Sequence, residues 1–278
     1  MDEDNGARGG AASRPVAPLR ILLAEDVPIN QKFLAGILGR CGHEVVVVAN
    51  GREALEELER SSFDVVLMDV QMPVLDGLEA TRRIRANVAG KFDPGVPIIA
   101  LTAFALKDDR EKFLDAGMDA YVSKPVDMKE LLQTVAAVAA RRRPEPGAAS
   151  PSRGGPATDT EEKAPEAPHL RDEDALRRCL GDRQFLWSLR RDFADGLATG
   201  HLDKIQRSVA DGDLAALRGQ AHAVKGVLAL IGAERGRDLA LRLENWPGDG
   251  DGGELAALAA DFAEEIRVLI ALISQAGA

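Results

Sequence analysis

The sequence is poor in the features that mark several large classes of protein. Aromatic residues make up only 4% of its 278 residues, so its cores must be built from Leu, Val, Ile and Ala. There are two cysteines, which lie far apart, match no metal spacing and suit a reducing cytoplasm. No apolar run reaches the roughly 18 residues of a membrane-spanning helix, and the N-terminus lacks the apolar stretch of a secretory signal. We therefore expect a cytoplasmic protein that meets no membrane through this chain.

Basic residues are also in deficit. Lys and Arg number 35 against 45 Asp and Glu, which gives a formal net charge of -10 at pH 7. General nucleic-acid binding needs a positively charged surface, because the phosphate backbone supplies most of the affinity. The charge balance therefore argues against a nucleic-acid partner.

The composition along the chain predicts two folded domains. At about 150 residues per domain, the length favours two domains over one. Residues 141–169 are rich in Pro, Gly, Ala and Ser, which predicts a flexible linker of about 29 residues with a span of roughly 30 Å. Residues 1–18 predict a disordered leader. The predicted linker separates a first domain, residues 19–140, from a second domain, residues 170–278.

In the first domain, short apolar runs alternate with segments of helical spacing. The apolar runs predict five strands, at residues 21–24, 45–48, 65–68, 97–101 and 120–122. Because each strand is a continuous apolar run, we expect both faces of the sheet to be buried. The alternation predicts an α/β fold, with a five-stranded parallel sheet and helices on both faces. Ligands bind such a sheet beyond the carboxyl ends of its strands.

Charged and hydroxyl side chains follow the predicted strands at those ends. They are Glu25, Asp26, Asp69, Thr102 and Lys124. Three carboxylates at one edge of a sheet repel each other, and Mg²⁺, which prefers oxygen ligands, relieves the repulsion. The cation also keeps Asp69 ionised and able to act as a nucleophile, while Lys124 and Thr102 meet the oxygens of a phosphoryl group. The set predicts formation of an acyl phosphate on Asp69.

The segments ILLAEDVPIN, VVLMDVQMPVLDG, ALTA and VSKP resemble the four signature blocks of response-regulator receiver domains. The resemblance covers about residues 19–140 and implies a flavodoxin-like fold. It implies that Asp69 is the phosphoacceptor and that Asp26 binds Mg²⁺ directly. It also implies that Glu25 binds the cation through water and that the backbone carbonyl of Gln71 is a further ligand.

The same resemblance implies how phosphorylation is read out. Thr102 and Tyr121 form the switch pair of such domains, in which the hydroxyl moves towards the phosphoryl group and the ring turns inward. The alternative interpretation of Tyr121, from the sequence alone, is an aromatic residue half-buried in its strand. The Lys124–Pro125 bond corresponds to the family's cis peptide, and Asn30 resembles the residue found in receivers attached to hybrid histidine kinases.

The second domain shows helical spacing throughout. Helices are predicted at residues 172–180, 183–209, 214–231, 233–246 and 254–273, of which the last four form a four-helix bundle. Gly196 and Gly200 are expected to loosen the second of these helices. Within the third of these helices, apolar residues recur every three or four positions and define the seam of the bundle. His222 lies one residue past this seam, about 100° around the helix, outside the core. Lys225, Gly226 and Arg218 lie on the same surface.

The segment AHAVKGVLALIGAERGRDLALRLE resembles the signature of histidine-containing phosphotransfer (Hpt) domains. The likeness covers about residues 170–275 and implies that His222 is a phosphoacceptor. Lys225, with Arg218 adding to it, offsets the charge of a phosphoryl group on the ring, and Gly226 leaves room for a partner. Without this resemblance, His222 is an ordinary surface residue.

A phosphoaccepting Asp and a phosphoaccepting His in one chain predict a phosphorelay. We expect a sensor histidine kinase to phosphorylate Asp69, which exchanges the group with His222 for onward transfer to the receiver domain of a downstream response regulator. The reverse flow is equally allowed. Neither a P-loop nor a Gly-rich kinase box occurs, so we expect no phosphorylation from ATP by this chain. The chain is either a separate relay protein or the tail of a hybrid kinase. The sequence does not decide between the two, nor whether the chain counts as an enzyme.

Two alternatives belong to other functional classes. In the first, phosphorylation of the receiver switches a binding module, and the helical domain docks a partner without accepting phosphate. In the second, the chain is a hydrolase with an Asp nucleophile. Such hydrolases usually carry a second Asp two residues after the first, where this chain has Gln71, so this alternative is the weaker one.

Overall fold

The structure, a computed structural model, describes residues 17–88, 90–102, 107–142, 169–248 and 250–276. Most of the predicted leader and most of the predicted linker lie outside these ranges. Among the described residues, no helix is both long enough and apolar enough to cross a bilayer.

The first half of the chain forms a single parallel sheet. Its five strands are β1 (Arg20–Ala24), β2 (Glu44–Val48), β3 (Val65–Asp69), β4 (Ile98–Thr102) and β5 (Ala120–Ser123). They lie in the order β2-β1-β3-β4-β5, and every pair is parallel. The predicted α/β fold is therefore confirmed. Strands β3 and β4 are buried along their whole length, as their uninterrupted apolar sequences predict.

Five helices flank the sheet and bury an apolar layer on each of its faces. They are α1 (Pro28–Arg40), α2 (Gly51–Arg60), α3 (Gly77–Ala86), α4 (Lys107–Ala116) and α5 (Met128–Arg142). Local sequence sets their first turns. Asn50 and Asp76 cap α2 and α3 by accepting backbone N–H groups, and Asp127 accepts from the first turn of α5.

The strand order determines where a ligand can bind. Strand β1 pairs with β2 on one side and with β3 on the other, so the connections from β1 and β3 leave towards opposite faces of the sheet. Such a reversal opens a crevice at the carboxyl ends of the two strands. The register places Ala24 beside Met68, so Glu25 and Asp69, the next residues along each strand, lie at this crevice.

The second half of the chain is helical. Its helices are α6 (Asp172–Arg178), α7 (Arg183–Asp192), α8 (Ala198–Asp211), α9 (Leu214–Ile231), α10 (Glu234–Glu244) and α11 (Gly252–Ala276). Each of α8, α9 and α10 packs against the next helix, and α11 also packs against α8, which closes a four-helix bundle. The predicted seam on α9 runs from Leu214 to Ile231; its members from Leu217 onward are buried in the core, whereas Leu214, the first residue of the helix, is only partly buried.

The helix predicted over residues 183–209 is interrupted at Gly196, one of the two glycines expected to loosen it. A π-helical segment, Phe193–Leu197, separates α7 from α8. The cause is Gly196, whose φ of 157° is a conformation that side chains other than glycine rarely adopt. Helix α7 therefore packs on the outside of the bundle, where it contacts α6 and α9 and also α1 of the sheet domain.

Candidate functional site

Three carboxylates meet at the crevice beside β1 and β3. One oxygen atom from each of Glu25, Asp26 and Asp69 lies within 4.8 Å of the others. Glu25 and Asp69 are buried, whereas Asp26 is partly exposed and faces the opening. The structure thus brings together the three acidic residues that the sequence placed at the strand ends. Clustered carboxylate oxygens are the donor set that hard divalent cations bind in proteins.

Lys124 lies inside this cluster. Its Nζ donates to Oε2 of Glu25 at 2.7 Å and to Oδ2 of Asp69 at 2.6 Å. The backbone holds the residue in place, because its N–H donates to the carbonyl of Thr102 at 2.6 Å. The Lys124–Pro125 peptide is cis, as the family resemblance implied. One ammonium against three carboxylates leaves an excess of negative charge, which a divalent cation would balance.

The electrostatics of the cluster reflect this excess of negative charge. Burial raises the pKa of Asp69 to about 7; Lys124 opposes the rise and Glu25 adds to it. Burial and the charge of Glu25 also raise the pKa of Asp26. For Lys124, burial lowers the pKa, but the two carboxylates outweigh burial and the net direction is upward. The ammonium stays charged, and the carboxylates gain from any further cation.

Two amide side chains of α1 fix Glu25. The family resemblance points to one of them, Asn30, but not to the other, Gln31. Asn30 Nδ2 donates to Oε1 of Glu25 at 2.9 Å, and Gln31 Nε2 donates to its backbone carbonyl at 2.6 Å. The N–H of Val27 also reaches Oε1, at 3.3 Å. One oxygen of Glu25 is therefore held by α1 and the other by Lys124.

The remaining predicted residues of the first domain surround the cluster. The N–H of Gln71 donates to Oδ1 of Asp69 at 3.3 Å, so the loop after β3 curls over the carboxylate. Thr102 is buried at the end of β4. Tyr121 is half-buried on β5, with its ring 6.2 Å from that of Phe113. Residues 103–106, which follow Thr102, lie outside the described residues.

A second polar group lies on the helical bundle. Nδ1 of His222, on α9, lies 2.7 Å from Oε1 of Glu244, at the end of α10. Lys225 Nζ donates to the other oxygen of Glu244 at 2.5 Å. Because a carboxylate only accepts hydrogen bonds, Nδ1 is the donor, and in the neutral form of the ring the lone pair lies on Nε2. Glu244 thus orients the imidazole and the ammonium together.

Glu244 contacts both His222 and Lys225, although the family resemblance marked it only as the last residue of the Hpt-like segment and assigned it no role. Burial alone would raise its pKa, but the hydrogen bonds from His222 and Lys225 outweigh burial and lower it. The only signal in the sequence is its place at the end of the quoted segment, on the helix that returns along α9. Of the other predicted residues, Arg218 lies at the rim, where it donates to the carbonyl of Trp246 at 2.8 Å. Gly226 faces the sheet domain, since a Cβ atom added to it would lie 3.8 Å from Nδ2 of Asn30.

The two groups face each other across one cleft of about 1510 Å³. Asp26, Asp69 and Lys124 line one wall, while His222 and Lys225 line the other. The imidazole is close enough to Asp26 for its charge to influence the pKa of that carboxyl. The arrangement brings a nucleophilic carboxylate and an oriented imidazole to the same space.

Comparison with protein families agrees with both halves of the site. Residues 21–136 match the model of the response regulator receiver domain, and residues 189–276 match that of the Hpt domain. The chain therefore carries a receiver domain followed by an Hpt domain, the domain types of two-component signal transduction.

The similar proteins are sensor and hybrid histidine kinases. The chain is 39% identical over 142 residues to hybrid signal transduction histidine kinase I of Dictyostelium discoideum. The alignment covers 47% of this chain and 8% of that protein. It is 41% identical over 116 residues to the sensor protein GacS of Pseudomonas syringae pv. syringae. That alignment covers 42% of this chain and 13% of that protein. The chain thus spans about a tenth of the length of these curated relatives.

Among solved structures, the receiver domain of sensor histidine kinase PA1611 from Pseudomonas aeruginosa PAO1, determined with a magnesium ion in its active site cleft, is 45% identical. The match covers 44% of this chain and 98% of that chain, with a TM-score of 0.40.

Proposed function

We propose that this chain is a phosphorelay protein in which Asp69 accepts a phosphoryl group from a sensor histidine kinase and exchanges it with His222. His222 then supplies the receiver domain of a downstream response regulator, or the flow runs in reverse. The observation that carries the proposal is the shared cleft, whose walls hold Asp69 on one side and His222 on the other. The family matches support it independently, because a receiver domain and an Hpt domain are the two halves of such a relay.

Phosphorylation of Asp69 depends on Mg²⁺ in this proposal. Asp26 and Asp69, the backbone carbonyl of Gln71 and, through water, Glu25 would hold the cation. When bound, Mg²⁺ neutralises charge on the carboxylates and on the phosphoryl oxygens. The excess of negative charge in the cluster and the raised pKa of Asp69 support this assignment.

The residues that line the cleft have different roles in the proposed transfer. Nε2 of His222 attacks the phosphorus of the acyl phosphate, a P–N bond forms, and the P–O bond to Asp69 breaks. Asp69 leaves as a carboxylate that pairs with Lys124. Glu244 holds the proton on Nδ1 and balances the positive charge that the ring acquires, while Lys225 faces the transferred group.

Thr102 and Tyr121 are the proposed read-out of phosphorylation at Asp69. The hydroxyl of Thr102 moves towards the phosphoryl oxygens, and the partly buried ring of Tyr121 turns inward. We place the relay in the cytoplasm, a reducing compartment that suits the two free cysteines, Cys41 and Cys179. Because the phosphoryl group comes from another protein, the chain needs no nucleotide site of its own.

Radiolabelled donor kinase with Mg²⁺ tests this function in the full chain. Wild type should carry label on both residues, which alkali distinguishes because it hydrolyses acyl phosphate and spares phosphohistidine. Asp69→Asn should carry none, and His222→Gln should carry only acyl phosphate. His201→Gln is the matched control, since His201 lies in the same bundle and binds Gln220 instead. If wild-type His222 acquires no label from any donor, the binding-module alternative replaces the relay.

A further inference from the structure

Helix α7 of the helical half lies against helix α1 of the receiver domain. The ring of Phe185, on α7, stacks on that of Phe33, on α1, with centroids 6.4 Å apart and planes 15° from parallel. The guanidinium of Arg40 lies 4.1 Å from the centroid of the same Phe185 ring. Phe185 is 7% exposed although it lies on the outside of its own bundle, so the receiver domain covers it.

A glycine on α1 makes this close contact possible. A Cβ atom added to Gly36 would lie 2.7 Å from Cζ of Phe185, closer than real side chains approach. Glycine in the interior of a helix weakens the helix, so its presence here has a packing reason. Gly39, three residues later on the same helix, has no such neighbour within 4 Å. Gly36 therefore leaves a gap in the surface of α1, here called the Gly36 notch, into which the edge of the Phe185 ring fits.

Two ion pairs fix the direction of α7 along α1. Lys32 pairs with Asp192, the last residue of α7, and Arg40 pairs with Asp182, its N-cap, at 3.3 Å. The earlier residue of α1 thus meets the end of α7, and the later residue meets its beginning, so the two helices run antiparallel. Complementary charges of this kind select orientation and partner more than they add affinity.

We propose that α7 is a docking helix that pairs this receiver domain with the Hpt domain of the same chain. The inference rests on the proposed function, because docking matters only if Asp69 and His222 exchange a phosphoryl group. Phe185 and Asp182 precede residue 189, where the Hpt match begins, so the docking contacts lie largely outside the part of the bundle that defines an Hpt domain.

The consequence is a preference for transfer within one chain. A linker of about 29 residues keeps the two domains at an effective concentration in the millimolar range, and the α1–α7 contact selects the orientation that closes the cleft. Receiver domains with a larger side chain at the position of Gly36 are excluded from this surface. The Phe185 ring and the Gly36 notch therefore determine specificity, and they take no part in the chemistry.

A matched pair of substitutions tests the docking helix in the full chain. Gly36→Leu fills the notch, and Gly39→Leu adds the same side chain where nothing contacts it. Radiolabelled acetyl phosphate with Mg²⁺ labels Asp69 directly, and equal labelling of both variants shows that the receiver domain is intact. Transfer to His222 is then followed after the donor is removed, at several dilutions.

In wild type and Gly39→Leu, the transfer rate should not depend on dilution. In Gly36→Leu it should fall about tenfold or more, as when a central interface anchor is lost, and should still not depend on dilution, because the predicted linker keeps the two domains tethered. Equal, dilution-independent rates in the two variants would overturn the docking role while leaving the relay intact. If wild type labels Asp69 but never His222, the relay itself fails.

A charge exchange provides a second measurement that does not depend on packing. Lys32→Glu should slow transfer, and adding Asp192→Lys should restore the wild-type rate. Failure of the double variant to recover any of the lost rate would contradict the docking orientation inferred from the two ion pairs.

Discussion

Glu244 Oε1 lies 2.7 Å from Nδ1 of His222, and its other carboxylate oxygen accepts from Lys225. One side chain therefore sets the tautomer of the ring and the position of the neighbouring ammonium. In metal and catalytic sites, a carboxylate of this kind keeps the second ring nitrogen available for bonding.

Replacing this carboxylate should slow phosphoryl transfer without removing the acceptor. In Glu244→Gln, we expect the rate of transfer from Asp69 to His222 to fall by about tenfold, because a charge-assisted hydrogen bond becomes a neutral one. Single-turnover transfer, measured across a range of pH, gives the rate. Glu234→Gln is the control, since Glu234 begins the same helix and pairs with Arg171, away from His222. Equal rates in the two variants would remove Glu244 from the mechanism.

The same carboxylate should make the Hpt domain sensitive to acid. The partners of Glu244 hold its pKa below the ordinary value of 4.5, although burial opposes them. A carboxyl whose pKa is lowered by folding contributes stability above its unfolded pKa and loses that contribution as the pH falls through the folded value. The free energy of unfolding should therefore drop more in wild type than in Glu244→Gln below pH 4.5.

The two tryptophans make this acid effect measurable in the full chain. Trp187 and Trp246 both belong to the helical half, so tryptophan fluorescence during urea unfolding reports that half alone. Parallel curves for wild type and Glu244→Gln across the acid range would contradict the predicted contribution of Glu244.

The acidic cluster should be a source of instability in the absence of a cation. Burial raises the pKa of Asp69 to about 7, so its ionised form opposes folding of the receiver domain near neutral pH. Asp69→Asn removes that charge. In chelator, we expect the variant to gain about 1 kcal/mol or more, several degrees in Tm, measured by calorimetry. A variant less stable than wild type would contradict the excess of negative charge at the site.

Mg²⁺ should stabilise the folded receiver domain by binding to it. At a concentration of 100 times Kd, a ligand specific for the folded state adds about 2.7 kcal/mol. We expect a rise in Tm for wild type and little or none for Asp26→Asn. Asp76→Asn is a useful control, because Asp76 caps α3 at the rim of the same cleft without belonging to the cluster. An equal rise in all three proteins would place the cation elsewhere.

The single tyrosine gives a direct view of the proposed switch. Tyr121 is the only tyrosine of the chain, so selectively labelled tyrosine yields one ring signal in NMR spectra. Phosphorylation of Asp69 should shift that signal in wild type, and Thr102→Ala should abolish the shift while Asp69 is still phosphorylated. A shift that persists in Thr102→Ala would show that the Tyr121 ring responds to phosphorylation without the Thr102 hydroxyl, which would contradict the proposed switch.

The sequence was sufficient for the parts of the molecule that depend on local pattern. Continuous apolar runs located the strands, and the residues that follow those runs, Glu25, Asp26 and Asp69, meet because parallel strands end at one edge. The periodicity of α9 located its buried seam and left His222 outside it. These inferences need only the geometry of a strand and of a helix.

The remaining features depend on relations that no local pattern encodes. Glu244 reaches His222 from another helix, and only the packing of α9 on α10 brings them together. Gly196 interrupts what its neighbours predict to be continuous helix. The approach of Phe185 to Gly36 joins segments on either side of the predicted linker, whose composition carries no information about docking.

The order in which label appears on the two residues tests the central claim most directly. A pulse of labelled donor is followed by its removal, and the acyl phosphate and the phosphohistidine are measured over time in dilute wild-type chain. Label on Asp69 should rise first and then decline as label on His222 appears in matching amount. Label that leaves Asp69 only as inorganic phosphate, with His222 unlabelled throughout, would contradict the account.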